Sequence, residues 1–138
     1  MNSILIIHLF ATWFMTGAIW LVQAVVYPNF KIVGRSEFQA FHQFHSNRIT
    51  WVVAPMMLVE LVTSVLLLLK FQSPVMWWNL SSILLVWILT ATVNVPSHKN
   101  LTYDLDHTKS KLIFGNWPRT VIWTERSLFW LTFISEFK

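Results

Sequence analysis

The run Phe38-Gln39-Ala40-Phe41-His42-Gln43-Phe44-His45-Ser46-Asn47-Arg48 leads into Ile49-Thr50-Trp51-Val52-Val53-Ala54-Pro55-Met56-Met57-Leu58-Val59-Glu60. On a helix, His42 and His45 share one face, because residues three apart are neighbours there. Beyond Arg48 the chain turns apolar, and Glu60 lies deep inside that apolar segment. A carboxylate in such a place is expensive, so it calls for a partner or a task.

The surrounding composition sets the class. Of 138 residues, 55% are hydrophobic and only 12% are charged, against about 25% charged in soluble domains. Nine Trp and eleven Phe stand beside three Gly. A single four-span transmembrane domain over residues 1–138 explains this better than a soluble core. The net charge of +4 requires no nucleic acid partner, since the basic residues flank apolar segments, where they meet anionic headgroups. The absence of cysteine excludes disulfides, thiolate catalysis and iron–sulfur clusters. The N-terminus lacks a basic region before its apolar run and lacks a small-residue cleavage site, so it reads as a retained helix.

Four apolar segments are predicted. The first, about Ile4 to Tyr27, is long enough to span. It carries His8, Thr12, Thr16 and Gln23 on one narrow stripe, with Gly17 as a close-packing point; Tyr27-Pro28 is expected to end it. A short amphipathic helix from Ser36-Glu37, lying at the interface or forming the outer turns of the second span, precedes that span, about Ile49 to Leu69, where Pro55 is a candidate kink. The third runs from about Val75 to Val95, with Asn79, Thr90 and Asn94 on one face. The fourth opens at Asn116-Trp117-Pro118-Arg119, with proline suited to a first helical turn, and runs to about Phe137. On it Arg119, Trp123, Arg126 and Trp130 share a face. The expected fold is therefore an all-α integral membrane four-helix bundle.

Charge orients it. Lys31, Arg35, Arg48, Lys99, Lys109, Lys111 and Arg119 belong to one side, and only Lys70 and Lys138 to the other. The positive-inside rule then puts both termini outside. The expected location is a bacterial inner membrane. The bilayer is the obvious partner, and association into a homo-oligomer is left open.

Two groups of residues offer chemistry. His42, His45, His98 and His107 lie on the cytoplasmic side with Arg48, Asn94, Asn116 and Arg119. His42, His45 and His98 are candidate ligands for a transition metal or haem, or proton-transfer groups; interfacial histidines are also common without any such role. The geometry of a short-loop bundle brings them towards Arg119. Glu60, Glu125 and Arg126 sit near mid-depth and are expected inside the bundle, as a relay or as a structural pair, with Glu60 and Arg126 the favoured couple. Fifteen residues of straight helix, on the order of 22 Å, separate His45 from Glu60, so a joint site requires the Phe38–Ser46 piece to fold back or a continuous polar path between them. Trp77 and Trp78 fit an interfacial belt, whereas Trp117 and Trp123 flank Arg119.

The segments Val95-Pro96-Ser97-His98-Lys99-Asn100-Leu101 and Asn116-Trp117-Pro118-Arg119-Thr120, with Gly17 and Tyr27-Pro28, resemble the anthrone oxygenase-like family of small four-helix membrane proteins. His98 stands where that family has asparagine. The resemblance implies oxidation of a lipophilic, phenol- or quinol-like small molecule, with His98, Asn116 and Arg119 as catalytic candidates; Glu60 is a further candidate from its place in an apolar span and has no counterpart in the family pattern. The expected function is thus a small membrane oxidoreductase or oxygenase. A histidine-ligated metal or haem protein and a non-catalytic scaffold are the alternatives.

Overall fold

A computed structural model describes residues 3–95 and 105–134, and within 105–108 the backbone alone. Four helices account for nearly all of them: α1 Ser3–Ile32, α2 Arg35–Phe71, α3 Pro74–Asn94 and α4 Leu105–Phe133. Each helix packs on its sequence neighbours, and α4 closes the ring on α1. The α1–α2 and α2–α3 connections are two residues each, which forces antiparallel neighbours. Gln72 makes the second turn by adopting a left-handed conformation, φ 45°, while its N–H caps Leu68 O at 2.9 Å.

Two elements differ from expectation. The amphipathic piece around His42 is not a separate helix. It forms the first turns of α2, which is continuous over 37 residues, because nothing between Ser46 and Ile49 breaks a helix and Pro55 is absorbed within it. The chain also does not stop at Tyr27-Pro28. A wide π-helical turn, Val22–Val26, carries α1 through to Ile32. A proline ring clashes with the carbonyl four residues back, here that of Ala24, inside the widened turn. The Tyr27 N–H reaches instead to Val22 O. A second π turn, Thr90–Asn94, ends α3, and Pro96 again follows two residues later.

Helices α1, α2 and α3 are long and apolar enough to cross a membrane. Helix α4 is less apolar on average, since Asp106, Lys109, Lys111, Arg119, Glu125 and Arg126 are on it; of its polar residues Asn116, Thr120 and Arg126 are fully buried inside the bundle. Along α1 the interior alternates. Leu5 and Leu9 join an apolar cluster with Leu67, Met76 and Trp130. His8 and Thr12 enter a polar layer. Met15 and Ile19 join Met57, Val86 and Trp123. Tyr27 and Phe30 pack with Phe38 and Leu112. Gly17 is no close-packing point, since a Cβ there meets nothing within 4 Å. Gly115 is one: its Cβ would stand 3.1 Å from Val93 Cγ1.

Candidate functional site

The predicted polar stripes all face inward and build two layers. In the first, Glu60 is 2% exposed and Arg126 0%. Arg126 donates to Glu60 Oε1 at 2.6 Å, across the bundle from α4 to α2. The carboxylate also accepts from Thr12 Oγ1 at 2.9 Å and from Trp123 Nε1 at 3.0 Å. Arg126 donates a further bond to Asn79 Oδ1 at 3.0 Å. That bond fixes the orientation of the Asn79 amide, whose Nδ2 donates to Ser64 Oγ at 2.9 Å.

His8 completes the layer. Its Nε2 lies 3.2 Å from Asn79 Oδ1. An amide oxygen only accepts, so Nε2 carries the proton. Its Nδ1 lies 2.9 Å from Thr63 Oγ1, a hydroxyl that also donates to Val59 O at 2.7 Å. The Trp130 ring closes over His8 edge-on, with centroids 5.6 Å apart. Thus Glu60–Arg126 ties α2 to α4 and His8–Asn79 ties α1 to α3, the two diagonals of the ring.

The second layer centres on Arg119, two turns earlier on α4. Its NH1 donates to Thr90 Oγ1 at 3.2 Å, and NH2 donates to Asn116 Oδ1. Asn116, fully buried, is held by donating to Gln23 Oε1 at 2.8 Å. Gln23 and Thr90 belong to the two π turns, so the widened turns aim the side chains that hold the guanidinium. No carboxylate touches Arg119 among the described residues. Its Nε and the nearby Asn94 Oδ1 are buried without hydrogen-bond partners. Beside them is a cavity of about 150 Å³, lined by Tyr27, His45, Thr90, Asn94, Arg119, Trp123 and apolar side chains that include Met15 and Met57. Both π turns contribute to that lining, through Val22, Thr90 and Asn94; π turns recur at functional sites.

The predicted site residues are therefore distributed. Arg119 and Asn116 come together, with His45 on the wall of the adjoining cavity. Glu60 belongs to the other layer, and Trp123 connects the two by donating to Glu60 while lining the cavity. His42 and His45 both place their rings against Phe30, at 5.8 Å each, and His42 Nε2 is 3.3 Å from Ser46 Oγ. His98 lies outside the described residues. Among the described residues no three His, Asp or Glu side chains form a group that could hold a metal ion. His42 and His45 alone supply two nitrogens, which falls short of the three protein ligands of an open metal site.

Three placements correct the sequence reading. Glu125 is on the outer surface, because Trp123, Arg126 and Trp130 already fill the inward arc of α4. Trp117 is exposed and stacks edge-on against Trp20, at 5.8 Å, so it does not flank the site. Arg48 is exposed, over the ring of Phe44 at 5.4 Å, and is absent from the cavity wall. His8, Asn79 and Tyr27 gain importance that the sequence reading did not assign. The signal was present for His8 and Asn79, which belong to the polar stripes of their helices. No family model matches this chain, and no match is found among curated proteins or solved structures.

Proposed function

We propose that this chain is a four-span integral membrane protein, in a bacterial inner membrane with both termini outside, that binds a lipophilic molecule through an oxygen headgroup at Arg119. One observation carries the binding reading: a half-buried guanidinium with only neutral partners faces a cavity. An unpaired buried cation is costly. An electron-rich oxygen placed there gains a charge-assisted hydrogen bond. A cavity of about 150 Å³ is of the size that takes one aromatic ring, which suits a phenol or quinol head.

Two observations support membrane insertion. Helices α1, α2 and α3 have the needed length and apolarity. Helix α4 runs level with α1, joined through Trp13 to Ser127 O, Thr16 to Trp123 O and Trp20 to Thr124. Its charged Arg126 points inward, so α4 crosses with the others. Reporter fusions at Lys138 and in the connection at Asp104 test the orientation: activity of an external reporter is expected at the first and not at the second.

In this reading Arg119 stabilises the phenolate, Asn116 and Thr90 hold the guanidinium in place, and His45 on the same wall accepts the phenol proton. An oxidoreductase or oxygenase of the anthrone oxygenase-like kind would begin from that phenolate. The test uses an alkyl nitrophenol, coloured only as its phenolate. The purified chain in detergent is expected to bring out the colour at a lower pH than detergent alone, and Arg119→Gln to abolish the difference. No change of colour with the wild-type chain overturns the reading.

A further inference from the structure

Glu125 is the residue the bundle leaves unexplained. It is exposed on α4, next to Arg126, level with the middle of α1. It makes no hydrogen bond or ion pair among the described residues. Around it α4 presents an apolar stripe: Val121 is 55% exposed, Leu128 60% and Leu131 60%. A groove between α3 and α4 runs past it, lined by Trp78, Ser81, Ser82, Leu85, Ile122 and Glu125.

We infer that this groove docks a transmembrane helix of another protein, one that carries a single Lys or Arg at mid-depth. The inference rests on the membrane reading above and is independent of the cavity. A carboxylate facing hydrocarbon is costly, and such residues pair with opposite charge. Among the described residues, a second copy of this chain offers no exposed cation level with Glu125: Lys31, Arg35 and Lys70 sit at helix ends, Lys111 is two turns into α4 and Arg48 precedes the apolar segment of α2, while Arg126 is fully buried. The small Ser81 and Ser82 let a neighbouring backbone come close, as at other membrane helix interfaces. Trp78 and Leu85 offer apolar contact on either side of them.

The test co-reconstitutes the full chain with a synthetic polyleucine transmembrane peptide in phosphatidylcholine vesicles. The chain has no cysteine, so Gln72→Cys provides one site for a fluorescent donor, and the peptide carries the acceptor. A peptide with one central lysine is expected to associate about three- to thirtyfold more tightly than the all-leucine peptide, the range of polar contacts between membrane helices. Glu125→Gln should remove the preference. Glu125→Lys should transfer it to a peptide with a central glutamate. Because Glu125 is on the surface, these variants should fold as the wild type does. Equal association of the lysine and leucine peptides overturns the inference, and so does a lysine preference that survives Glu125→Gln. Self-association that depends on Glu125 and excludes the peptide assigns the groove to a second copy instead. Resistance of the chain to alkaline extraction, measured on the same vesicles, separates these results from a failure of membrane insertion itself.

Discussion

Arg126 and Arg119 lie two turns apart on one inward face of α4, and both are surrounded by polar side chains from the other helices. Arg126 meets a carboxylate at 2.6 Å. That carboxylate is saturated by Thr12 and Trp123, and apolar clusters lie on either side of the layer. Arg119 meets only an amide and a hydroxyl, and a cavity adjoins it. A paired charge between apolar layers holds helices together. The Nε of each guanidinium is buried without a partner, so what distinguishes Arg119 is the lack of a carboxylate and the cavity beside it, on which the proposed binding rests.

The largest effect should come from breaking the paired layer. Arg126→Leu leaves Glu60 buried without its cation, at a cost of about 3–5 kcal/mol. Thermal unfolding in detergent should show the loss. Combining it with Glu60→Gln should restore a substantial part, because the orphaned charge disappears. If the losses of the two single variants simply add, the residues are not coupled and the layer is not a unit.

Trp123→Phe tests the wall shared by the two layers. It deletes one donor to the Glu60 carboxylate, which costs about 1–3 kcal/mol for a buried acceptor. The nitrophenol colour shift should persist, since Asn116 and Thr90 still hold Arg119. Loss of the shift with unchanged stability would invert the assignment of roles.

Arg119→Gln should do the reverse. It orphans no anion, and Asn116 keeps its bonds to Gln23 and Thr120. The buried Asn116 Oδ1 loses its donor, so stability is expected to fall by about 1–3 kcal/mol, less than for Arg126→Leu, while phenolate binding is lost. Unfolding on the scale of Arg126→Leu would make Arg119 a structural residue.

Helical periodicity made much of this legible. The stripes of His8 and Thr12, of Asn79 and Asn94, and of Arg119, Trp123 and Arg126 all point inward, and Glu60 with Arg126 followed from the cost of a buried charge. What periodicity does not give is the partner across the bundle. His42 and His45 look like a motif because they share a face, yet Phe30 of α1 covers that face. His8 was one member of a polar stripe, and only the structure shows that it holds a diagonal of the ring. Glu125 and Arg126 are neighbours in sequence but about 100° apart around the helix, so only one of them can point inward. The π turns were hidden for a related reason: proline signals a stop, and a widened turn ahead of it lets the helix continue.

The smallest effect sharpens the comparison at the cavity. Gly17 and Gly115 are both helical, and alanine is favoured over glycine in a helix by about 0.5–1 kcal/mol. Gly17→Ala meets nothing within 4 Å, so the unfolding midpoint should rise. Gly115→Ala brings a methyl to 3.1 Å from Val93 Cγ1, and Val93 must yield by a few tenths of an ångström. The helix gain should be cancelled there, leaving the midpoint unchanged or slightly lower. Val93 lies in the π turn that carries Thr90 and Asn94, so the same methyl presses on the turn that positions the guanidinium and one wall of the cavity. Gly115→Ala should therefore weaken the nitrophenol shift modestly, whereas Gly17→Ala leaves it intact. Equal stabilisation by both substitutions, with binding unchanged, would mean that the approach of α4 to the π turn of α3 is loose and that the cavity does not depend on it.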